Sequence, residues 1–178
     1  MRWVVFLALI AVFGPGCSSG PIARGAPAMA CGDRISYTDS QYGFGYCHPT
    51  TWMRYVHGGV VGFEAPMEDS ADGFPENINV VTEFLPAGTT LAQYVNATLA
   101  QLPGLGLTPA AQGPFNGALQ PGWRIEYTGS RGGRFLHNDA TVFVHADLGY
   151  VMTFSAEEGH RDSARPDAEA AAASMRFV

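Results

Sequence analysis

The sequence predicts an α+β fold: an antiparallel β-sheet of about six strands packed between α-helices. Three observations lead there. Short stretches of alternating or continuous apolar character, bounded by Gly and Pro, recur along the chain as half-buried strands do. Helical spacing is confined to one stretch near the middle and one at the C-terminus. The connections are short and turn-rich, with 22 Gly and 12 Pro in 178 residues, which favours hairpins over the long crossovers that parallel strands need.

Each element has its own warrant. Phe44–His48 alternates and stops at Pro49, which cannot continue a ladder. Val60–Glu64 is a second strand, stopped by Pro66. In residues 78–84, Ile78, Val80, Thr82 and Phe84 alternate with Asn79, Val81 and Glu83. A helix follows: Thr89 or Thr90 can cap it, and Leu91, Val95, Leu99 and Leu102 repeat at helical spacing until Pro103-Gly104. After a Gly/Pro-rich connection, residues 123–128, 135–146 and 150–156 read as strands, the last two joined by a turn at Asp147-Leu148-Gly149. A final helix is expected to start at Pro166, since proline suits a first helical position and Asp167 and Glu169 suit the positive end of the helix dipole.

The N-terminus reads as an address. Arg2 precedes an apolar run of ten residues, 4–13, too short for the roughly 20 that span a bilayer but right for a secretory signal. Gly14-Pro15-Gly16-Cys17 then resembles the lipobox of bacterial lipoproteins, although Gly14 stands where Leu is usual. On this reading 1–16 is a signal peptide, Cys17 carries lipid, 17–30 is a flexible tether, and 31–178 is one globular domain. Two acyl chains anchor stably, at ~0.8 kcal/mol per buried methylene. Cleavage near Ala28-Met29-Ala30 is the alternative. Three cysteines in an exported chain leave Cys31 and Cys47 as a pair once Cys17 is lipidated. Their bridge is worth on the order of 3 kcal/mol; two free thiols is the next reading, ahead of metal ligation by the pair.

Composition excludes some partners. A hydrophobic content of 47% with 15% charged residues is that of a folded domain. All ten basic residues are Arg, the net charge is −6, and no basic stripe is present to meet phosphates, which argues against nucleic acid.

"FGYCHPTTW", residues 44–52, resembles the entry motif of the PsbP-like superfamily: two alternating aromatics, then Pro and Trp. "ENINVVTEFLP", "TTLAQYVNATLAQL", "GWRIEYTG" and "ASMRFV" are similar to later segments in the family's order. The resemblance covers about 41–178 and points to the bacterial envelope lipoprotein branch, of the DcrB and LpqN type. It implies an α/β/α sandwich and a largely non-enzymatic role in binding an envelope protein partner, with no cofactor. Cys47 departs from the usual motif.

Candidate chemistry is sparse. No Gly-x-Ser-x-Gly elbow occurs within 31–178. Cys47 and His48 are strand neighbours, whose side chains point to opposite faces and cannot pair for catalysis. His137 with Asp139, and His145 with Asp147, each offer zinc-type donors on one strand face. Eight residues of strand set the two histidines roughly 26 Å apart, so they cannot share a metal. The acidic loop 68–77 places Glu68, Ser70, Asp72 and Gly73 as an EF-hand would, but has Asn79 where a bidentate Glu is required. Calcium there, or a metal or small ligand generally, is the alternative to a protein partner. Tyr37, Tyr42, Phe44, Tyr46, Trp52 and Tyr55 crowd the start of the domain. Of these, Tyr42, Tyr46, Trp52 and Tyr55 are the candidate partner surface, with packing in the core as the competing role. Asn96-Ala97-Thr98 matches a glycosylation sequon by chance on a helix.

Overall fold

The computed structural model describes residues 30–67 and 73–178. The expected signal peptide, the expected lipidation site Cys17, most of the expected tether, and positions 68–72 of the acidic loop lie outside them. Among the described residues no helix is long and apolar enough to cross a membrane.

Ten strands and two α-helices follow in order: β1 Ile35–Asp39, β2 Phe44–His48, β3 Met53–His57, β4 Val60–Glu64, β5 Asn77–Phe84, α1 Leu91–Gln101, β6 Leu107–Asn116, β7 Pro121–Arg131, β8 Arg134–His145, β9 Leu148–Glu157, α2 Arg161–Ala173 and β10 Arg176–Phe177. They form a seven-stranded sheet in the order β3-β4-β5-β9-β8-β7-β6 and a three-stranded sheet β1-β2-β10, with every pairing antiparallel. The expectation of about six strands in one sheet is therefore too low. The six expected strands are β2, β4, β5, β7, β8 and β9, and the four unforeseen ones are the outer strands of the two sheets.

The large sheet is covered on both faces. On one, Tyr94, Val95 and Leu102 of α1 and its extension pack on Ile125, Tyr127, Ala140, Val142 and Val151. On the other, Phe44 and Tyr46 of β2 and Ala164, Ala168, Ala171 and Ala172 of α2 pack on Phe63, Ile78, Tyr150, Met152 and Phe154. The alanine face lets α2 lie close to the strands. The small sheet thus shares this second layer with α2, where the sequence led us to expect helix alone.

Local chemistry sets the ends. Thr90 and Gln93 form a reciprocal capping box at the start of α1, with the Thr90 N–H donating to Gln93 Oε1 at 2.9 Å. The helix tightens into a 3₁₀ turn, Leu102–Leu105, and ends on Gly106 at φ 74°. The β8–β9 hairpin turns at Ala146-Asp147, both at positive φ (46° and 62°), the signature of a type I′ turn. It does not turn at residues 147–149 as expected, because Gly149 lies within β9. There, an added Cβ would sit 2.5 Å from the Tyr94 ring. Helix α2 begins at Arg161, a turn earlier than expected, and Pro166 is an exposed residue inside it. Its first turn is fixed to the sheet by Arg161, whose guanidinium reaches Asp139 at 2.6 Å and Glu126 at 3.0 Å.

Cys31 and Cys47 form a disulfide, with Cα atoms 5.6 Å apart. It fastens the start of the domain to β2, the central strand of the small sheet.

Candidate functional site

The four aromatic candidates do not make one surface. Tyr46 is 0% exposed and Trp52 6%, so neither can meet a partner. For Tyr46 the reason is the position of β2: strands flank it on both sides, the large sheet and α2 cover it, and all five of its residues are buried. The Tyr46 ring packs edge-on against Tyr37 and Phe63 at 5.5 and 6.0 Å, and burial drives its phenol pKa far up. Burial, with Asp39 nearby, also pushes Tyr37 up to about 12. Tyr42 is half-buried, its carbonyl accepting from the Tyr150 hydroxyl at 2.9 Å. Tyr55 is half-buried on the opposite face of the large sheet.

The metal candidates also separate. Asp139 is engaged by Arg161 at 2.6 Å and Arg165 at 3.7 Å, so guanidinium groups already supply its positive charge. His145 stacks on Phe177 at 4.6 Å, while the Asp147 carboxylate accepts the Gly88 N–H at 3.3 Å. Among the described residues, no three His, Cys, Asp or Glu side chains gather as a metal site. His48 is buried, stacks on Phe63 at 3.7 Å, and has its pKa lowered by burial. Its Nδ1 hydrogen-bonds the Pro49 carbonyl rather than any nucleophile.

Two surfaces remain; of their residues the sequence pointed only to Tyr55. The first follows from register. Phe84 pairs with Leu148, and Leu148 with His145, so the end of β5 and the β8–β9 turn share one end of the sheet. The β6–β7 connection lies at the same end. There Phe84 is 84% exposed, Leu119 55% and Val178 52%. Phe84 alternates correctly with the core residues of β5, but the strand runs one residue past its cover. Nothing in the alternation marks that.

The second is a polar row on the α1 face, in which Asn138 and Thr153 are buried at 8% exposure. Strand alternation puts Tyr55, Gly62, Asn77, Asn79, Thr153, Ser155 and Asn138 on this face, running from β3 to β8. The Tyr55 ring lies across Gly62, where an added Cβ would come within 2.4 Å of it. Its hydroxyl donates to Asn77 Oδ1 at 3.2 Å and also hydrogen-bonds Asn79. Ser155 donates to Asn138 Oδ1 at 2.8 Å, and Thr153 hydrogen-bonds Tyr127. Burial raises the Tyr55 phenol pKa; Glu64 pushes it the same way and Arg131 the other. Beside this row, Arg134 and Glu157 pair at 2.7 Å. The result is a row of interlinked amides and hydroxyls, with Glu64 on the same face in register with Asn77.

The hollow lined by His137, Glu158, Gly159, Arg161 and Asp162 measures about 190 Å³, below the roughly 300–1,000 Å³ of ordinary small-ligand pockets.

Two antiparallel sheets, with α1 on one face of the larger one and α2 sharing the other with the small sheet, form a fold shared with PsbP. No family model and no curated protein matches the sequence. Solved structures do. Cyanobacterial PsbP (CyanoP) of Synechocystis sp. PCC 6803 is similar with a TM-score of 0.60 and 19% identity, over 89% of this chain and 100% of that one. LpqN, involved in cell envelope biogenesis of Mycobacterium tuberculosis, gives 0.58 and 13%, over 86% and 99%. The Ran-binding protein Mog1p of Saccharomyces cerevisiae gives 0.55 and 9%, over 82% and 95%. At these identities the likeness is one of fold.

Proposed function

We propose that the protein is a lipid-anchored component of a bacterial cell envelope that acts without catalysis, as a binding or accessory module for a protein partner. The observation that carries this reading is the apolar end of the large sheet. One exposed ring is ordinary, but Phe84, at 84%, shares that end with Leu119 and Val178. A large apolar side chain loses about 1.5–3 kcal/mol by staying in water, and grouped exposure of this kind marks interaction sites.

The placement suits an anchored protein. Phe44, at one end of β2, pairs with Phe177, which packs on Tyr150 near the apolar end. Cys47 lies three residues along β2, about 10 Å further from that end, and receives the tether through Cys31. A membrane anchor at Cys17 would therefore hold the domain from the half remote from Phe84. Confinement of this sort raises the effective concentration towards other membrane-bound proteins without any new contact. Two further points support the location. A disulfide belongs to an oxidising compartment, and the similar LpqN is named for cell envelope biogenesis.

The test is native mass spectrometry of the full-length protein extracted gently from its membrane. The expected result is a diacylglyceryl mass on Cys17 and a complex with a second polypeptide that is lost in Phe84→Ala. An unlipidated chain that fractionates as soluble protein refutes the anchor. A complex unaffected by Phe84→Ala refutes the proposed surface.

A further inference from the structure

We propose that β3, an outer strand of the large sheet, receives an extended peptide segment of mixed acidic and apolar character by antiparallel strand addition. The site is separate from the apolar end and does not depend on lipidation.

The edge is a regular template. All five residues of Met53–His57 pair with β4 without a shift, and the hairpin closes on Gly58 and Gly59, both at positive φ (55° and 82°). The other side of β3 pairs with no strand among the described residues, so alternate residues aim their N–H and C=O groups outwards. Strand β6, at the opposite edge of the same sheet, shows how this chain blocks such a row. There Pro109 and Pro114 remove donors, and the register shifts near Pro109. Strand β3 has neither device. It is also held from behind. The Tyr55 ring lies across Gly62 of β4, and its hydroxyl donates to Asn77 of β5 at 3.2 Å, so an incoming strand meets a partner already in place.

The side chains specify the occupant. Alternation puts Met53, Tyr55 and His57 on one face and Arg54 and Val56 on the other. Met53 is 62% exposed and Val56 56%, a large apolar group on each face for a docked strand to cover. Arg54 is exposed, and no carboxylate among the described residues forms an ion pair with it. Glu64, in register with Met53, is on the opposite face. The segment that completes this edge therefore carries a carboxylate opposite Arg54 and apolar residues opposite Met53 and Val56. That requirement selects a foreign strand over a second copy. The β3 of another copy holds no acid, and would offer Arg54 only apolar, aromatic and imidazole groups or another guanidinium.

Isothermal titration of the full-length protein in neutral detergent micelles tests this with the heptapeptide SEVTEVT. Laid antiparallel, it sets a glutamate opposite Arg54 and valines opposite Met53 and Val56. Expected is saturable binding that is at least tenfold weaker for SKVTKVT. Methylating the peptide nitrogens of alternate residues should abolish binding in one phase and spare it in the other, since only one set faces β3. Arg54→Glu should reverse the preference and bind SKVTKVT the tighter, a gain that an unfolded variant cannot show. No heat from SEVTEVT at millimolar concentration, equal affinity for the two charge forms, or indifference to methylation in both phases would each overturn the proposal. Dimerisation that protects the amides of 53–57 from hydrogen exchange would give the edge to a second copy and overturn it too. Phe84 lies five residues along β5 from Asn79, which lines up with Tyr55 through Gly62. Phe84→Ala should therefore abolish partner capture at the apolar end and leave peptide binding unchanged, so failure of one reading is distinguishable from failure of the other.

Discussion

Single side chains in this domain are often set by a glycine opposite them. Gly149 leaves room for the Tyr94 ring, which is buried to 1% and donates its hydroxyl to Glu83. Gly149→Ala would drive a methyl into that ring, with no slack in the packed layer between α1 and the sheet. Overpacking of this kind costs about 1–3 kcal/mol, and urea unfolding should show a loss in that range. Glu83 supplies a second prediction. Burial raises its pKa, with the Tyr94 hydrogen bond opposing. A carboxyl whose folded pKa is raised weakens the native state once pH climbs above its ordinary range, and the penalty is complete above its folded pKa. Glu83→Gln keeps an acceptor for Tyr94 and removes that penalty. The variant should be the more stable at pH 7, and its advantage should disappear below the ordinary carboxyl range. An equal advantage at both pH values would show that ionisation is not the cause. Neither the raised pKa nor the contact with Gly149 can be read from sequence, since the positions are eleven and fifty-five residues from Tyr94 and meet only through the sheet register.

The elements were legible in proportion to how deeply they are buried. Strands β2, β4, β5, β7, β8 and β9 lie inside the sheets, where at least one face must be apolar, and each carries that pattern. Strands β1, β3, β6 and β10 are the outer ones, and their side chains are mostly exposed or half-buried. Water imposes no alternation on such strands. Strand β6 even carries Pro109 and Pro114 and a register shift near Pro109, which read as a loop but are what a protected edge tolerates. Helix α1 was legible to its cap because Thr90 and Gln93 are local in sequence. Thr90→Ala should lower stability by ~1 kcal/mol, measurable as a shifted urea midpoint with unchanged slope. Helix α2 was misplaced because its first turn is held by distant groups. Arg161 joins Glu126 and Asp139, and Arg165 adds contacts to the same two acids. Removing Arg161 would strand Asp139, whose side chain is only 10% exposed, beside one remaining arginine. Arg161→Ala should therefore cost about 2 kcal/mol, between the values for exposed and buried pairs. Hydrogen exchange should show the loss first in the opening turn of α2.

At the scale of the whole molecule, the disulfide decides how the domain is held from its N-terminus. Strand β1 pairs with β2 alone, so tension on the preceding chain would peel it from an edge, one residue pair at a time. The Cys31–Cys47 bridge lies ahead of β1 and passes the load directly to β2, whose residues are buried on both faces. Arg34, paired to Asp167 at 2.9 Å, is the next attachment, but it is partly exposed and contributes little alone. Reducing the bridge should thus lower global stability by about 3 kcal/mol in the chain-entropy model. It should also do something that a uniform loss would not. Within 31–178, the bond after Arg34 should become the first site of tryptic cleavage, while the bonds after Arg124 and Arg161, inside β7 and α2, stay protected at low urea. Limited proteolysis of the oxidised and reduced full-length protein, followed by mass, measures both effects. Equal protection of Arg34 in the two states would mean that β1 is held by its own pairing and that the bridge stabilises the domain only as a whole.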